Sequence, residues 1–362
     1  MANNALDFFS TYMMTAALEM VKPEKLFFKD RYFPTGAGDI FNTDKVLIEV
    51  KKGSRKIAPF VAERAPAVPI ERTGYEVYEY APAKIAVKRT LTIDDLKKRG
   101  FGEAIYSNST PAQRAARLEI EDMTDMDKRI ARREEWMAVQ TMMNNACTMQ
   151  ESVDAKKKGN TKQVQFFESN SAEHKYTPAN PWNSSSANVI GDTAAMCKLL
   201  TARGLNPTDM IIGPDVEDVF YNDEQILRQL DKNLNIDFGA INQEIIYPGI
   251  SILGRNINFR GHKLTIYVAS NSYEDDNGTD KPYFPSDGVM ITFPGCGHTM
   301  YGRVDQMNYG SIDFTSVAAK RVAKFFCKND DDEEVRGLRL QTRPLMAPKN
   351  YCPYIFAPHV VS

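Results

Sequence analysis

The sequence predicts an α+β fold, and three observations lead to this prediction. One helical segment, around residues 110–145, is longer than a compact domain usually needs. Strand-rich segments lie on both sides of it, at residues 45–91 and after residue 306. Between them, from about residue 192, helical and strand patterns alternate. With 362 residues, of which 43% are hydrophobic, the chain can bury a substantial core.

The long helix is predicted over residues 111–145, with Thr110 as its cap and Pro111 in its first position. At 1.5 Å per residue it would be a rod roughly 54 Å long. Its charged face favours a strut laid over a narrow strip of core, and a dimeric coiled coil is the alternative. The apolar stripe is predicted to contain Ala116, Ile120, Met123, Met126, Ile130 and Met137.

The charged face of this helix supplies more ionic groups than the helix itself can pair. Asp125 precedes Lys128 by three residues and Arg129 by four, which favours local ion pairs. The remaining charged side chains are predicted to be available to other partners. These are Arg117, Glu119, Glu121, Arg132, Arg133, Glu134 and Glu135.

An aromatic segment, LFFKDRYFPT, occupies residues 26–35. Pro34, Gly36 and Gly38 exclude a long helix here, so an extended arm is predicted. Its rings have two possible destinations, the core of their own subunit or a pocket on a neighbouring one.

Residues 45–91 predict two long strands joined by the proline-rich stretch ERAPAVPIER. A hairpin of two strands is marginally stable alone, and this one carries polar residues on both faces. It is therefore expected to lie against its own domain or another copy of the chain.

The second half of the chain reads as a compact mixed region followed by strands. A helix closed by Gly204 leads to a buried strand, a second helix and then strands separated by turns. Beyond Gln306 the chain is strand-rich, interrupted by the acidic run at residues 330–334.

Composition and motifs exclude several classes of protein. The formal net charge of −2 gives no overall basic field for nucleic acid. Five scattered cysteines without a CxxC pair argue against a disulfide framework or a zinc site. Residues 6–21 are read as an amphipathic helix, and no apolar run is long enough to predict a membrane span. No cofactor, metal ligand or catalytic residue is assigned.

One pair of residues offers the only enzymatic alternative. Cys296 and His298 are two positions apart, which on a strand would place a thiol and a base on one face. No third orienting group lies nearby in sequence, so a glycine-rich turn with a buried thiol is the competing interpretation.

Taken in order, the segments resemble a known family. The match is carried by LFFKDRYFPT, by RREEWMAVQ in the long helix, and by GPDVEDVF, DGVMITFPGCGHTMYG and LQTRPLMAPKNYCPYIFAPHV further on. Together these resemble the major capsid proteins of tailed bacteriophages, of the phage lambda type with the Hong Kong 97-type fold. The order and spacing of the segments, which span the whole chain, carry the resemblance.

The resemblance implies a division of the chain. Residues 1–42 would form an N-terminal arm and residues 43–92 an extended β-hairpin loop. Residues 93–192 would form a peripheral domain with its spine helix at 111–145. Residues 193–304 would form an axial domain, and residues 305–362 would return as strands to the peripheral domain.

The resemblance also implies a function and partners. The chain would assemble through hexamers and pentamers into an icosahedral shell around double-stranded DNA, contacted non-specifically. A separate scaffolding protein, a portal and a decoration protein are implied partners, and the shell would be assembled in the host cytoplasm. An encapsulin-like nanocompartment shell is the alternative.

A subunit interface is expected from the arm, the hairpin and the charged helix. Its predicted residues are Phe27, Phe28, Tyr32, Phe33, Arg64, Arg72, Arg132, Arg133, Glu134 and Glu135.

Overall fold

The structure is a computed structural model, and a defined part of the chain is described here. The described residues are 24–43, 45–50, 76–92, 95, 111–152, 158–166, 172–222, 244–275, 278–307, 314–330 and 333–361. The predicted N-terminal amphipathic helix and the tip of the hairpin lie outside them.

The described residues form a mixed α and β structure. Its helices are α1 (Phe27–Tyr32), α2 (Pro111–Asn144), α3 (Val189–Ala202) and α4 (Pro214–Asn222). Its strands are β1 (Val46–Val50), β2 (Glu76–Tyr80), β3 (Ile85–Thr92), β4 (Ala146–Ser152), β5 (Lys158–Gln165), β6 (Asp209–Ile212), β7 (Glu244–Tyr247), β8 (Ile250–Phe259), β9 (His262–Ala269), β10 (Ser272–Glu274), β11 (Asp280–Pro282), β12 (Val289–Thr292), β13 (Gly297–Tyr301), β14 (Val304–Met307), β15 (Phe314–Val317), β16 (Val322–Asp330), β17 (Glu333–Thr342), β18 (Pro344–Pro348) and β19 (Ile355–Ala357).

A six-stranded sheet in the order β19-β12-β6-β9-β8-β7 forms the centre of the second half of the chain. Strands β6 and β9 run parallel, and the other neighbours are antiparallel. Every residue of β6 and β12 is buried, as expected for central strands covered on both faces. The last strand, β19, pairs with β12 at one edge of this sheet.

Different helices cover the two faces of this sheet. On one face α3 and α4 pack through Leu200, Val216 and Phe220. On the other face α1 and the C-terminal half of α2 contribute Phe27 and Met142. This arrangement makes the sheet the common support for the arm and for the end of the long helix.

The N-terminal half of α2 packs on a three-stranded sheet of β16, β17 and β3, in that order. Met123, Met126 and Ile130 are buried there, as predicted, against strands of their own chain. The prediction was wrong for Ala116 and Ile120, which are exposed, with Ile120 at 60%. The apolar stripe therefore drifts around the helix, since 3.6 residues per turn do not match a 3.5-residue repeat.

The long helix ends at Asn144, within one residue of the predicted end, and Asn145 stops it. Asn145 adopts a left-handed conformation with φ of 50°. Its side-chain nitrogen donates to the carbonyl of Phe166 at 2.5 Å, and its oxygen accepts from the Tyr354 hydroxyl at 2.6 Å. These bonds hold the chain as it turns into β4.

The predicted long hairpin is divided into two parts. Strands β1 and β2 pair antiparallel and form its base. Residues 81–84, which include Pro82, interrupt the strand after β2. The next strand, β3, then joins the three-stranded sheet by pairing with β17. The inner face of the base packs through Tyr78 and Tyr80 against Phe166 and its neighbours. The hairpin base is thus supported by its own subunit.

The drift of the apolar stripe gives a matched test on one helix. Ile130→Ala should lower the free energy of unfolding by about 2–5 kcal/mol, because it opens a cavity at a 1% exposed site. Ile120→Ala, on the exposed side, should change it by less than about 0.5 kcal/mol. Urea unfolding of the unassembled subunit measures both, and equal losses would contradict this packing.

Candidate functional site

The arm is not extended as predicted. Residues Phe27–Tyr32 form the short helix α1, and Pro34 and the glycines after it end it. The aromatic side chains predicted to contact a neighbouring subunit are instead buried within this chain, at 0–2% exposure. They are Phe27, Phe28, Tyr32 and Phe33, and their burial selects the first of the two destinations considered for these rings.

The first turn of α1 is capped by a side chain from α2. The cap residue, Leu26, provides no side-chain hydrogen bond. The carboxylate of Glu135 accepts the backbone N–H groups of Phe28 and Lys29, each at 2.8 Å. These amides would otherwise lack partners, because the first turn of a helix has no internal acceptors for them. Glu135 therefore docks the arm helix onto the long helix.

Glu134, its neighbour, is the centre of a buried ionic cluster. Its carboxylate lies 2.6 Å from Lys29 Nζ and 2.6 Å from Arg321 Nη1, and it has no solvent exposure. Arg321 also contacts Asp127 at 2.7 Å. Burial raises the pKa of Glu134, but Arg321 and Lys29 outweigh it and hold this pKa at about 2. The cluster joins the arm, α2 and the chain entering β16.

A third carboxylate fixes the arm to the six-stranded sheet. Asp209 at the start of β6 accepts from Arg31 Nε at 2.6 Å and from the Tyr32 hydroxyl at 3.1 Å. The Arg31 guanidinium also lies over the Tyr267 ring, 4.9 Å from its centre. The arm is consequently anchored both on α2, through Glu135, and on β6, through Asp209, and these two elements are far apart in the sequence.

Several other charged residues of α2, expected to be available to partners, are paired within the chain. Glu119 lies 2.9 Å from Arg336, and Arg117 pairs with Glu121 at 2.9 Å. The local pair of Asp125 and Arg129 is confirmed at 3.1 Å. The side chains of Glu134 and Glu135, two residues predicted at a subunit interface, are buried beneath the arm of their own chain.

The two arginines predicted at an interface are on the surface of α2. Arg132 is exposed and lies 3.7 Å from Glu24, and Arg133 is exposed beside the Trp136 ring. Arg64 and Arg72 lie outside the described residues.

The environment of Cys296 does not suit a nucleophile. The thiol is fully buried, and burial raises its pKa to about 12. His298 Nδ1 instead lies 3.2 Å from the carboxylate of Asp39 in the arm, where burial lowers its pKa despite that carboxylate. The pair is better understood as part of the contact between the arm and β13.

Sequence reasoning missed the partners that anchor the arm. Lys29, Arg31, Asp127, Asp209 and Arg321 carry no motif, and Arg321 is 187 residues from Glu134. The usable signal was the pair of adjacent glutamates at 134 and 135 beside buried positions of α2, since a buried carboxylate requires a partner.

The sequence matches the family described as phage major capsid protein E over residues 10–356, nearly its whole length. The chain belongs to this family. No curated protein matches it.

Solved structures support the same fold. A prophage protein of E. coli CFT073, assigned as a capsid protein, is 16% identical with a TM-score of 0.65, and the match covers 98% of this chain and 99% of that one. A phage-related protein of Bordetella bronchiseptica RB50 is 10% identical with a TM-score of 0.50, covering 97% of both chains. At these identities the likeness concerns the fold alone.

The family and the fold together confirm the resemblance seen in the sequence. This chain is a structural protein of the bacteriophage virion, a subunit of its capsid shell. The mixed helix and strand architecture matches capsid structures of the Hong Kong 97 type. Among the described helices, none is long and apolar enough to cross a membrane.

Removing the charge at the centre of the ionic cluster should destabilise the subunit. Glu134→Gln leaves Lys29 and Arg321 buried without their shared anion, so the free energy of unfolding should fall by about 3–5 kcal/mol. Glu121→Gln, in an exposed pair on the same helix, should change it by less than about 0.5 kcal/mol. Urea unfolding at neutral pH compares them, and similar losses would show that the cluster does not hold the arm.

The cap at Glu135 predicts a pH dependence of the opposite sign to that of Glu134. Burial raises the pKa of Glu135 to about 7 from an ordinary 4.5, although the two amides oppose the shift. The folded state thus holds a proton that the unfolded chain releases, so the free energy of unfolding should fall as pH rises from about 4.5 to 7.

Glu135→Gln should remove this fall, which is on the order of 3 kcal/mol in the wild type. The measurement is the difference between the two proteins' unfolding free energies at several values of pH across that range. A difference that is constant with pH would contradict the titration of Glu135.

Proposed function

We propose that this chain assembles into the icosahedral head that encloses the double-stranded DNA genome of a tailed phage. The observation that carries the proposal is the family match over nearly the whole chain. Exposed apolar groups on the hairpin base support it, because shell subunits bury such groups against neighbours.

The parts of the subunit would take the roles predicted from the sequence. Residues 1–42 would be the arm, residues 43–92 the extended loop, residues 93–192 and 305–362 the peripheral domain, and residues 193–304 the axial domain. Axial domains would meet around the axes of hexamers and pentamers. The arm helix and the hairpin base are both anchored on their own subunit, which would give the elements that extend from them fixed starting points.

The outer face of the hairpin base supports a role in binding a neighbour. Leu47 and Val77 project from this face with 66% and 50% of their surfaces exposed. They lie diagonally across the β1 and β2 pair, because Leu47 is opposite Glu79 and Val77 opposite Glu49. A face with adjacent apolar groups and carboxylates suits an interface that closes only on assembly.

The implied partners follow from this role. A separate scaffolding protein would guide curvature, a portal would occupy one vertex, and a decoration protein would bind the finished shell in the host cytoplasm. The near-neutral chain suits a container, because a strongly basic wall would bind packaged DNA tightly and resist its release.

Expression of the chain with a matching scaffolding protein, followed by electron microscopy, tests the proposal. Closed shells are expected, and a reconstruction should place residues 51–75 of one subunit, which follow the hairpin base, on its neighbour. Persistent monomers would contradict the function, and residues 51–75 lying on their own subunit in the shell would contradict the role of the loop. Shells that enclose a cargo enzyme would favour the encapsulin-like alternative.

The same assay tests whether the exposed arginines of α2 lie at an interface. The double variant Arg132→Glu with Arg133→Glu should impair assembly while leaving the unfolding midpoint nearly unchanged, because both side chains are exposed. Lys198→Glu, an exposed cation on α3, is the control. Equal losses of folding and assembly in the double variant would exclude an interface role for this surface.

A further inference from the structure

The outer face of the three-stranded sheet, opposite α2, carries a row of cations. In the register of the sheet Lys324 lies opposite Arg339, and Arg339 lies opposite Lys88. Leu338, Leu340 and their neighbours face α2, so the alternating positions of this row point away from the helix. These three residues are called the basic row below.

The basic row is not neutralised by the described part of the chain. Within those residues, no carboxylate lies within salt-bridge distance of Lys88, Lys324 or Arg339. The Nε atom of Arg339 is buried and has no hydrogen-bond partner. Like charges placed opposite each other across a sheet are destabilising, so an unassembled subunit carries an unfavourable arrangement here.

Two further cations, Lys84 and Arg343, lie close to the basic row. Burial, and then the Arg339 guanidinium, lower the pKa of Lys324. Lys84 has its pKa lowered by burial and by Arg339 and Arg343, while Asp305 acts in the opposite direction. Asp305 itself pairs with Arg303 at 3.1 Å. The surface around the row is therefore cationic in excess.

A buried polar side chain beside the row also lacks partners. Gln341 lies two residues after Arg339 on the same face of β17, and it is fully buried. Neither its amide oxygen nor its amide nitrogen is hydrogen-bonded. Buried amides in native proteins are nearly always bonded.

The same two strands carry a complementary segment at their far end. The acidic run Asp330, Asp331, Asp332, Glu333 and Glu334 begins at the last residue of β16 and ends with the first two residues of β17. Six residues separate Arg339 from Glu333, which corresponds to about 20 Å along a strand. A row on one copy cannot reach its own acidic segment, whereas the segment of another copy is free to approach it.

We propose that the basic row binds the acidic segment at residues 330–334 of a second copy of this chain. The match of charge, three cations against five carboxylates, favours this occupant. Duplex DNA is disfavoured, because a long polyanion lying on the row would be repelled by the acidic segment of the same sheet.

The contact has a consequence for assembly. Each copy offers one row and one segment at different places, so the interface is heterologous and propagates from copy to copy. It deepens the proposed shell function, on which it rests, by naming two surfaces that would join subunits. Because both partners are charged, the contact should weaken as salt is added.

Charge exchange tests the pairing in the assembly assay. The row variant carries Lys88→Glu, Lys324→Glu and Arg339→Glu, and the segment variant carries Asp330→Lys, Glu333→Lys and Glu334→Lys. Each should lower the yield of shells by about tenfold or more, because like charges then meet. The combined variant should recover most of the yield, and Lys198→Glu should match the wild type. Circular dichroism and unfolding midpoints establish that each variant folds.

Cross-linking supplies a measurement that does not depend on shell yield. Subunits labelled with heavy nitrogen are mixed with unlabelled ones and treated with a carbodiimide, which joins amines to carboxylates in contact, whether or not shells have formed. Links between Lys88 or Lys324 and residues 330–334 should appear in peptide pairs of mixed isotopes. Their absence, or links within one isotope alone, would overturn the proposal.

The outcomes separate this inference from the shell function. Wild-type shells with a combined variant as defective as its parents would overturn the pairing and leave the function intact. Failure of the wild type to form shells would overturn the function, and the cross-links would then decide the contact alone. Binding of short duplex DNA that the row variant abolishes would assign the row to nucleic acid and overturn its assignment to a second copy.

Discussion

The arrangement of this subunit depends on a carboxylate that water cannot reach. Glu134 is stable as an anion only because Lys29 from the arm and Arg321 from the chain before β16 both contact it. If either cation moved away, a buried charge would remain without its partner. The arm, the long helix and the three-stranded sheet are consequently held in one relative position, and the hydrophobic contacts around them pack within that frame.

Local patterns predicted the long helix, the helix before Gly204 and most strands of the central sheet, because their periodicity and end signals lie within a few residues. The arm helix could not be predicted in this way. Its cap, Glu135, is 107 residues from Phe28, and six residues with no cap of their own do not indicate a helix. The same distance concealed the ionic cluster, so charges that looked available were in fact paired.

The division between inner and outer faces is the other constraint on this molecule. Arm aromatics that seemed suited to a neighbour are inside the subunit, whereas Leu47 and Val77 on the hairpin base are left outside. Burial could not be assigned from residue type, because both groups are apolar. It was decided by the register of β1 with β2 and by the position of α1 under the six-stranded sheet.

The place of β19 in the six-stranded sheet bears on when a nascent chain can take its final form. This strand follows every other described strand in the sequence, yet it pairs with β12 and contributes buried side chains to both faces of the sheet. While the ribosome is still making residues 355–357, one edge of that sheet has no partner. The sheet is therefore complete only when residues 355–357 have paired with β12, and until then that edge is a place where two growing chains can pair wrongly.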